Sequence, residues 1–442
     1  MIGVSWWSIL PAPGDEPATD PTPPTFTKNV APILQARCQN CHRRGQIGPF
    51  ALETYAQAKK RAVDIAAVAG ERSMPPWKPK PGVGPKLKHD QSLTAAEIDT
   101  LEAWAEAGAP LGDAKHMPPP RQFAEGWKLG KPDLVLECTE DFKIPASGPD
   151  IYRCFVIPTN LRRELFISAI DVQPGNARVV HHIIMYTDVS GIGRQRDKAE
   201  PGPGYISFEG PGIPVSSGLG FWGAGSEPHH LPDGVGLRLP KQSDVILQVH
   251  YHPTGKPETD RTRLGLYLSR KPVKQALHWN DASSFDFQLP AGKAEVKVEA
   301  TWFVPVSVEA LAVAPHMHSL GRNMTMSVTY PDGHSLDLIH IDDWDPSWQT
   351  NYYFQKPIPL PAGSVVKVIA HFDNSDHPRN PNQPPKLVKS GQGVNDEMCV
   401  GYIAVVKTGQ DLTAPRARDD LFEIFARQRV RNFRKQFAKR PR

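Results

Sequence analysis

Three consecutive prolines, Pro118-Pro119-Pro120, divide this 442-residue chain into two parts that obey different periodicities. Proline lacks a backbone N–H and fixes φ, so such a run can enter neither a helix interior nor a central strand. Before it, apolar residues recur at helical spacing. Val30, Ile33 and Leu34 predict a helix from about Phe26 to Arg37. Thr94 with Glu97 three residues on is a capping box, and Ile98, Leu101 and Ala105 mark the core face of the helix it opens. Gly108 supplies the stop.

Beyond the prolines the period becomes two. Strands are expected at 134–138, 152–157, 165–172, 179–186, 245–251 and 264–268. The pattern continues at 294–301, 310–313, 324–329, 352–354, 365–372 and 398–406. With 46 prolines and 35 glycines and no fixed repeat, the composition predicts loop-rich antiparallel sandwiches and excludes a solenoid. The expected plan has a flexible lead over 1–25, a helical domain over 26–113 and a linker over 114–132. Two β-sandwich domains over 133–274 and 275–411 and a basic helical tail over 412–442 complete it.

The net charge of +4 is uneven, because the chain from Thr413 onward holds ten Lys/Arg against three Asp/Glu. The remainder is slightly acidic, so the body offers no electrostatic case for nucleic acid. In the tail, Leu421, Phe422, Phe425, Val430, Phe433 and Phe437 stand among arginines. Such a helix can pack on its own domain, meet a partner, or lie on an anionic membrane surface. No run of eighteen apolar residues occurs. The first eleven residues lack a basic region and read as an incomplete signal sequence. Of five cysteines, Cys138 and Cys154 flank an expected hairpin and are candidates for a disulfide.

The first helix runs into Cys38-Gln39-Asn40-Cys41-His42. This spacing reads as attachment of a covalent haem c, with two thioether links and His42 as an axial ligand. A CxxC redox pair and half a zinc site are the alternatives, but no second CxxC exists. Met74, before Pro75 and Pro76, is the candidate second axial ligand, and Met117 is a weaker rival. Residues 27–113 resemble the cytochrome c domains of multidomain bacterial secreted oxidoreductases. Covalent haem and copper chemistry together imply a periplasmic or secreted location.

Histidines form the second set of signals. In Val179-Val180-His181-His182-Ile183-Ile184, neighbouring side chains of a strand face opposite sides, so a shared metal needs a bulge or a sheet edge. In the strand ending Gln248-Val249-His250-Tyr251-His252, His250 and His252 share one face and compete as ligands. His316-Met317-His318 puts two imidazoles on one face, and Met398 would add a thioether. Sulfur with imidazole selects copper over zinc or calcium. His229, His230 and His371 are read as solvated-loop or core histidines.

These motifs, His-His-Ile-Ile at 181–184, Val-His-Tyr at 249–251, His-Met-His at 316–318 and Glu-Met-Cys with Tyr402 at 397–402, resemble in order those of the copper type II ascorbate-dependent monooxygenases. That family includes the peptidylglycine α-hydroxylating and dopamine β-monooxygenases. The chain is also similar to bacterial forms with an N-terminal cytochrome c domain. The resemblance implies a small all-α haem domain followed by two jelly-roll-like β-sandwiches, one copper ion in each. It implies His181, His182 and His250 on an electron-storing copper, and His316, His318 and Met398 on the copper that meets O2, with Tyr402 retained. The implied function is hydroxylation of a C–H bond in a small organic substrate, with electrons from ascorbate or a redox protein and the haem as a possible supply route. The alternative is a non-oxygenase haem–copper electron-transfer or copper-binding protein. Ala314 and Val400 stand where peptide-specific members carry an arginine and an asparagine, so a peptide carboxylate is not supported as substrate.

Overall fold

The computed structural model describes residues 22–438 apart from 47, 125, 208–209, 216, 224–225, 392 and 394, and apart from the side chains of 429, 430 and 432–438. The expected lead and incomplete signal lie largely outside these residues.

Before the prolines the chain is helical. Phe26–Val30, Ala31–Ile33 and Leu34–Cys38 form one continuous helical stretch, followed by helices Tyr55–Lys60, Ala62–Gly70 and Ala95–Glu106. Phe26, Val30, Leu34, Leu101 and Trp104 close a core of their own. The expected capping box is present, with Thr94 and Glu97 each bonding the other's backbone. A second one, at Thr54 and Gln57, opens the short helix after it. The prolines bring the chain back along this unit, where the Gln35 side chain donates to the Pro119 carbonyl at 3.0 Å.

The rest is β structure. One five-stranded sheet runs Leu134–Glu137, Arg263–Leu268, Leu165–Gln173, Val235–Leu239, Gln275–Ala276. A second runs Tyr205–Ile206, Ile151–Pro158, Asp244–Tyr251, Val180–Asp188, Ser217–Gly223. Residues from both sheets share one apolar core, including Ile167, Ile183, Leu237 and Leu247. Two four-stranded sheets follow. One is His278–Ser284, Cys399–Lys407, Val308–His316, Tyr352–Leu360, and the other is Val296–Phe303, Val365–Phe372, Gly321–Thr329, Ser335–Ile341. Their shared core includes Val313, Met326, Val368 and Ile403.

The sheet containing Val308–His316 is buried on both faces. Val308, Ala310, Val313, Ile403 and Val405 face its own sandwich. Leu311, Ala312, Ala404 and Val406 instead join the core of the first sandwich. Strand alternation makes this possible, since successive side chains leave opposite faces.

The tail helix spans Leu421–Ala438. Leu421 and Phe425 insert into the second core, and Trp302 meets Phe425 edge-on at 5.5 Å between ring centroids. Each buried side chain contributes roughly 1.5–3 kcal/mol. Trp302 also donates its indole N–H to Gln428 Oε1 at 3.1 Å. The start of the tail therefore packs on its own domain, while the side chains of Phe433 and Phe437 lie outside the described set. Among the described residues no helix is long and apolar enough to cross a membrane.

The disulfide expected between Cys138 and Cys154 is a correction: both are buried free thiols. They sit in separate apolar clusters, and burial pushes each thiol up to about 12.

Candidate metal centres

Strand Val180–Asp188 pairs with Asp244–Tyr251, and its register shifts between Val180, opposite Tyr251, and His182, opposite His250. His181 is the extra residue of this bulge. A bulge redirects a side chain that regular alternation would send to the other face. His181 Nδ1 therefore stands 3.1 Å from His182 Nδ1, and His250 Nδ1 stands 3.4 Å from His182 Nδ1. The three imidazoles offer ligand atoms all within 4.8 Å of one another, the geometry of a three-nitrogen metal site. Burial, then the nearby His250, holds His181 down at about 4. Burial, then His250, likewise holds His182 well below the ordinary imidazole range. Neutral imidazole is the form that binds a metal.

Sequence reasoning missed Asp150. Its Oδ2 lies 2.7 Å from His250 Nε2, and its Oδ1 lies 2.7 Å from His252 Nδ1. Burial raises its carboxyl, but hydrogen bonds from His250 and His252 outweigh that and bring it to about 2. Tyr152, two residues on, stacks on His250 at 4.3 Å between centroids. The signal available was a histidine pair in a strand with no acidic residue beside it, which calls for a carboxylate from a neighbouring strand.

At the second centre, antiparallel pairing does the positioning. Ala314 faces Tyr402 and His316 faces Val400, so the same register carried on brings His318 alongside Met398. His316 and His318 stand 5.3 Å apart between ring centroids and nearly perpendicular. His316 Nδ1 is bonded by Gln349 Oε1 at 2.5 Å, and His318 Nδ1 by the Asp396 carbonyl at 2.9 Å. Both Nε2 atoms are thereby left for a metal. The turn between is pinned by buried Glu397, whose carboxylate accepts from the backbone N–H of His318 at 2.9 Å and of Leu320 at 2.6 Å. Burial brings His316 to about 3, with His318 adding to the effect. Gln349 was also missed, because an amide in a loop carries no periodic signal.

Both sets open on one cavity of about 520 Å³. Its walls include all three histidines of the first centre, His316, His318 and Met398 of the second, and Tyr402. Tyr402 also lies 6.2 Å from His316 between centroids. Trp279, Tyr186, Phe221 and Ile184 supply aromatic and apolar wall.

A larger cavity of about 1090 Å³ separates the helical unit from the first sandwich. Cys38, Cys41, His42 and Met74 line one side, and His181, Phe221 and His252 line the other. These last three border both cavities. His42 Nδ1 is bonded to the Phe50 carbonyl at 3.1 Å, which leaves its Nε2 free. Gly48 is packed against this turn, and a Cβ there would stand 2.6 Å from the Cys41 carbonyl oxygen. Met74 lines this cavity, whereas Met117 lines neither. His371 pairs with Asn323 Oδ1 at 2.6 Å, in keeping with a satisfied strand histidine. His229 corrects the solvated-loop reading: it lines the larger cavity, and its Nε2 is buried without a hydrogen-bond partner.

Residues 295–413 match the family described as copper type II ascorbate-dependent monooxygenase, C-terminal domain. The tyramine β-hydroxylase of Caenorhabditis briggsae is 24% identical over 253 residues, which is 52% of this chain and 40% of that protein. The chain thus spans about two fifths of the length of the curated relative it matches. Among solved structures, PNGF-II (TM-score 0.26, 11% identity, 62% of this chain and 65% of that one) is too distant to bear on fold or function. The same holds for the infectious bursal disease virus Gx strain (TM-score 0.18, 10% identity, 62% and 72%). The second β unit is therefore similar to the C-terminal domain of the copper type II ascorbate-dependent monooxygenases, and the matched stretch contains His316, His318, Met398 and Tyr402.

Proposed function

We propose that the chain is a copper-dependent monooxygenase that hydroxylates a C–H bond of a small organic substrate with O2. The observation that carries this is the single cavity bordered by both histidine sets. The residues fit the metal. Three converging imidazoles suit copper in either oxidation state, and a thioether beside two imidazoles selects it at the second site. Bound at both places, copper supplies one-electron redox chemistry and the binding of dioxygen.

The chain's own residues do the rest. His181, His182 and His250 hold the electron-storing site, and His316, His318 and Met398 hold the site that meets O2. Gln349 and the Asp396 carbonyl fix which nitrogen each second-site imidazole presents. Trp279, Tyr186, Phe221 and Ile184 offer the substrate body an apolar wall, with the Tyr402 hydroxyl as a polar handle.

Cys38, Cys41, His42 and Met74 would hold a covalent haem c in the larger cavity. The Phe50 carbonyl engages His42 Nδ1, so Nε2 would be the nitrogen left for an iron. Haem supplies one-electron transfer. His181 borders both cavities, so it is the copper-site residue nearest a haem held there. The first donor would be ascorbate or a redox protein, and the location periplasmic or secreted.

The experiment is direct. Purified holoprotein should carry two coppers per chain and a c-type haem spectrum, and should consume O2 only with substrate and reductant. Full copper loading with no O2 consumption across a broad substrate screen would replace this reading with an electron carrier. Met74→Ala should lower the haem reduction potential, since a thioether ligand raises it. An unchanged potential would remove Met74 from the iron.

A further inference from the structure

Asp150 lies just before strand Ile151–Pro158, whose Tyr152 is the register partner of His250. The carboxylate thus arrives beside two histidines of the neighbouring strand at once. One oxygen meets His250 Nε2 and the other meets His252 Nδ1, each at 2.7 Å. An ionised carboxylate can only accept, so both nitrogens are the N–H of their rings. For His250 this leaves Nδ1 as the bare lone pair, and Nδ1 is the atom that stands 3.4 Å from His182 Nδ1. For His252 the donor is Nδ1 itself, and the ring lies with 68% of its side chain exposed. His252 lines both cavities.

We infer that Asp150 is a positioning residue of the first metal centre: with one oxygen it selects the His250 tautomer that completes the site, and with the other it holds His252 out of the ligand set. This rests on the reading of His181, His182 and His250 as a copper site. A carboxylate behind a ligating imidazole also makes that imidazole a stronger donor. A stronger donor favours oxidised copper, so Asp150 lowers the reduction potential of this centre. The amide of Asp150→Asn retains one acceptor oxygen and adds a donor, so it can serve only one of the two rings.

The test titrates copper(II) into the metal-free full-length chain and follows both centres by electron paramagnetic resonance and reduction potential. Asp150→Asn should weaken copper at the first centre by about 10–100-fold, the usual cost of removing such a partner. It should also raise the potential of that centre. The His316, His318 and Met398 centre serves as the folding control and should keep its wild-type affinity. His252→Ala should leave the copper(II) signal of the first centre unchanged. Equal weakening of both centres, an unchanged affinity and potential at the first, or loss of a nitrogen signal in His252→Ala would each overturn the inference. Failure of the wild-type chain to take up copper at this triad would instead overturn the functional reading beneath it.

Discussion

The two histidine centres are built in opposite ways. At the first, three Nδ1 atoms converge from two paired strands, and one ligand ring is backed by a charged carboxylate. At the second, two rings are backed by neutral acceptors, the Gln349 amide and the Asp396 carbonyl, and the third group on the cavity wall is a thioether. Charge behind an all-nitrogen set favours the oxidised metal, whereas sulfur with neutral support favours the reduced one. One cavity therefore has a wall of three imidazoles with a carboxylate behind one of them, and a wall of two imidazoles and a thioether. Their placement differs too: the first centre sits at a bulge inside a strand, the second where two strands give way to turns.

The comparison can be broken most severely at Met398. Met398→Ile keeps the volume but removes the sulfur, and O2-dependent turnover should fall by well over the roughly 100-fold limit typical of a supporting residue. Turnover that survives would mean the two walls are not specialised. Next, His182→Ala should reduce bound copper from two ions per chain to one while the second centre keeps its spectrum. Metal analysis of the purified variant checks this, and retention of both ions would show that His181 and His250 suffice. A smaller change is expected for Gln349→Leu, which leaves His316 Nδ1 without its acceptor. Copper affinity at the second centre should drop by about 10-fold, with the first unaffected. The smallest sharpening is Phe425→Ala. It should cost about 3–5 kcal/mol of stability, read by denaturant unfolding, without altering the copper spectrum of either centre.

Much of this was legible in the sequence. Period-two runs located the strands that carry both centres, and a metal shared by the adjacent pair His181-His182 required a bulge or a sheet edge, of which the structure has the bulge. The capping box at Thr94 and the face shared by His250 and His252 were equally plain. Val235–Leu239 and Ser335–Ile341 were overlooked although apolar residues alternate in both, whereas two other unforeseen strands have weak signals. Ser217–Gly223 contains three glycines, and His278–Ser284 is largely polar, so neither shows apolar alternation. Asp150 and Gln349 were invisible for a different reason. Each acts on a histidine 100 or 33 residues away, through pairing that only the fold establishes.

The doubly buried sheet has a mechanical consequence. Ala312 and Ala404 pack into the first sandwich, while Val313 and Ile403, their chain neighbours, pack into the second. Among the described residues, side chains from this one sheet enter both cores, so the two bodies share apolar packing at this wall. The separation of the two histidine centres is then a property of the hydrophobic interior. Parting the sandwiches at this wall would expose apolar surface that folding has buried.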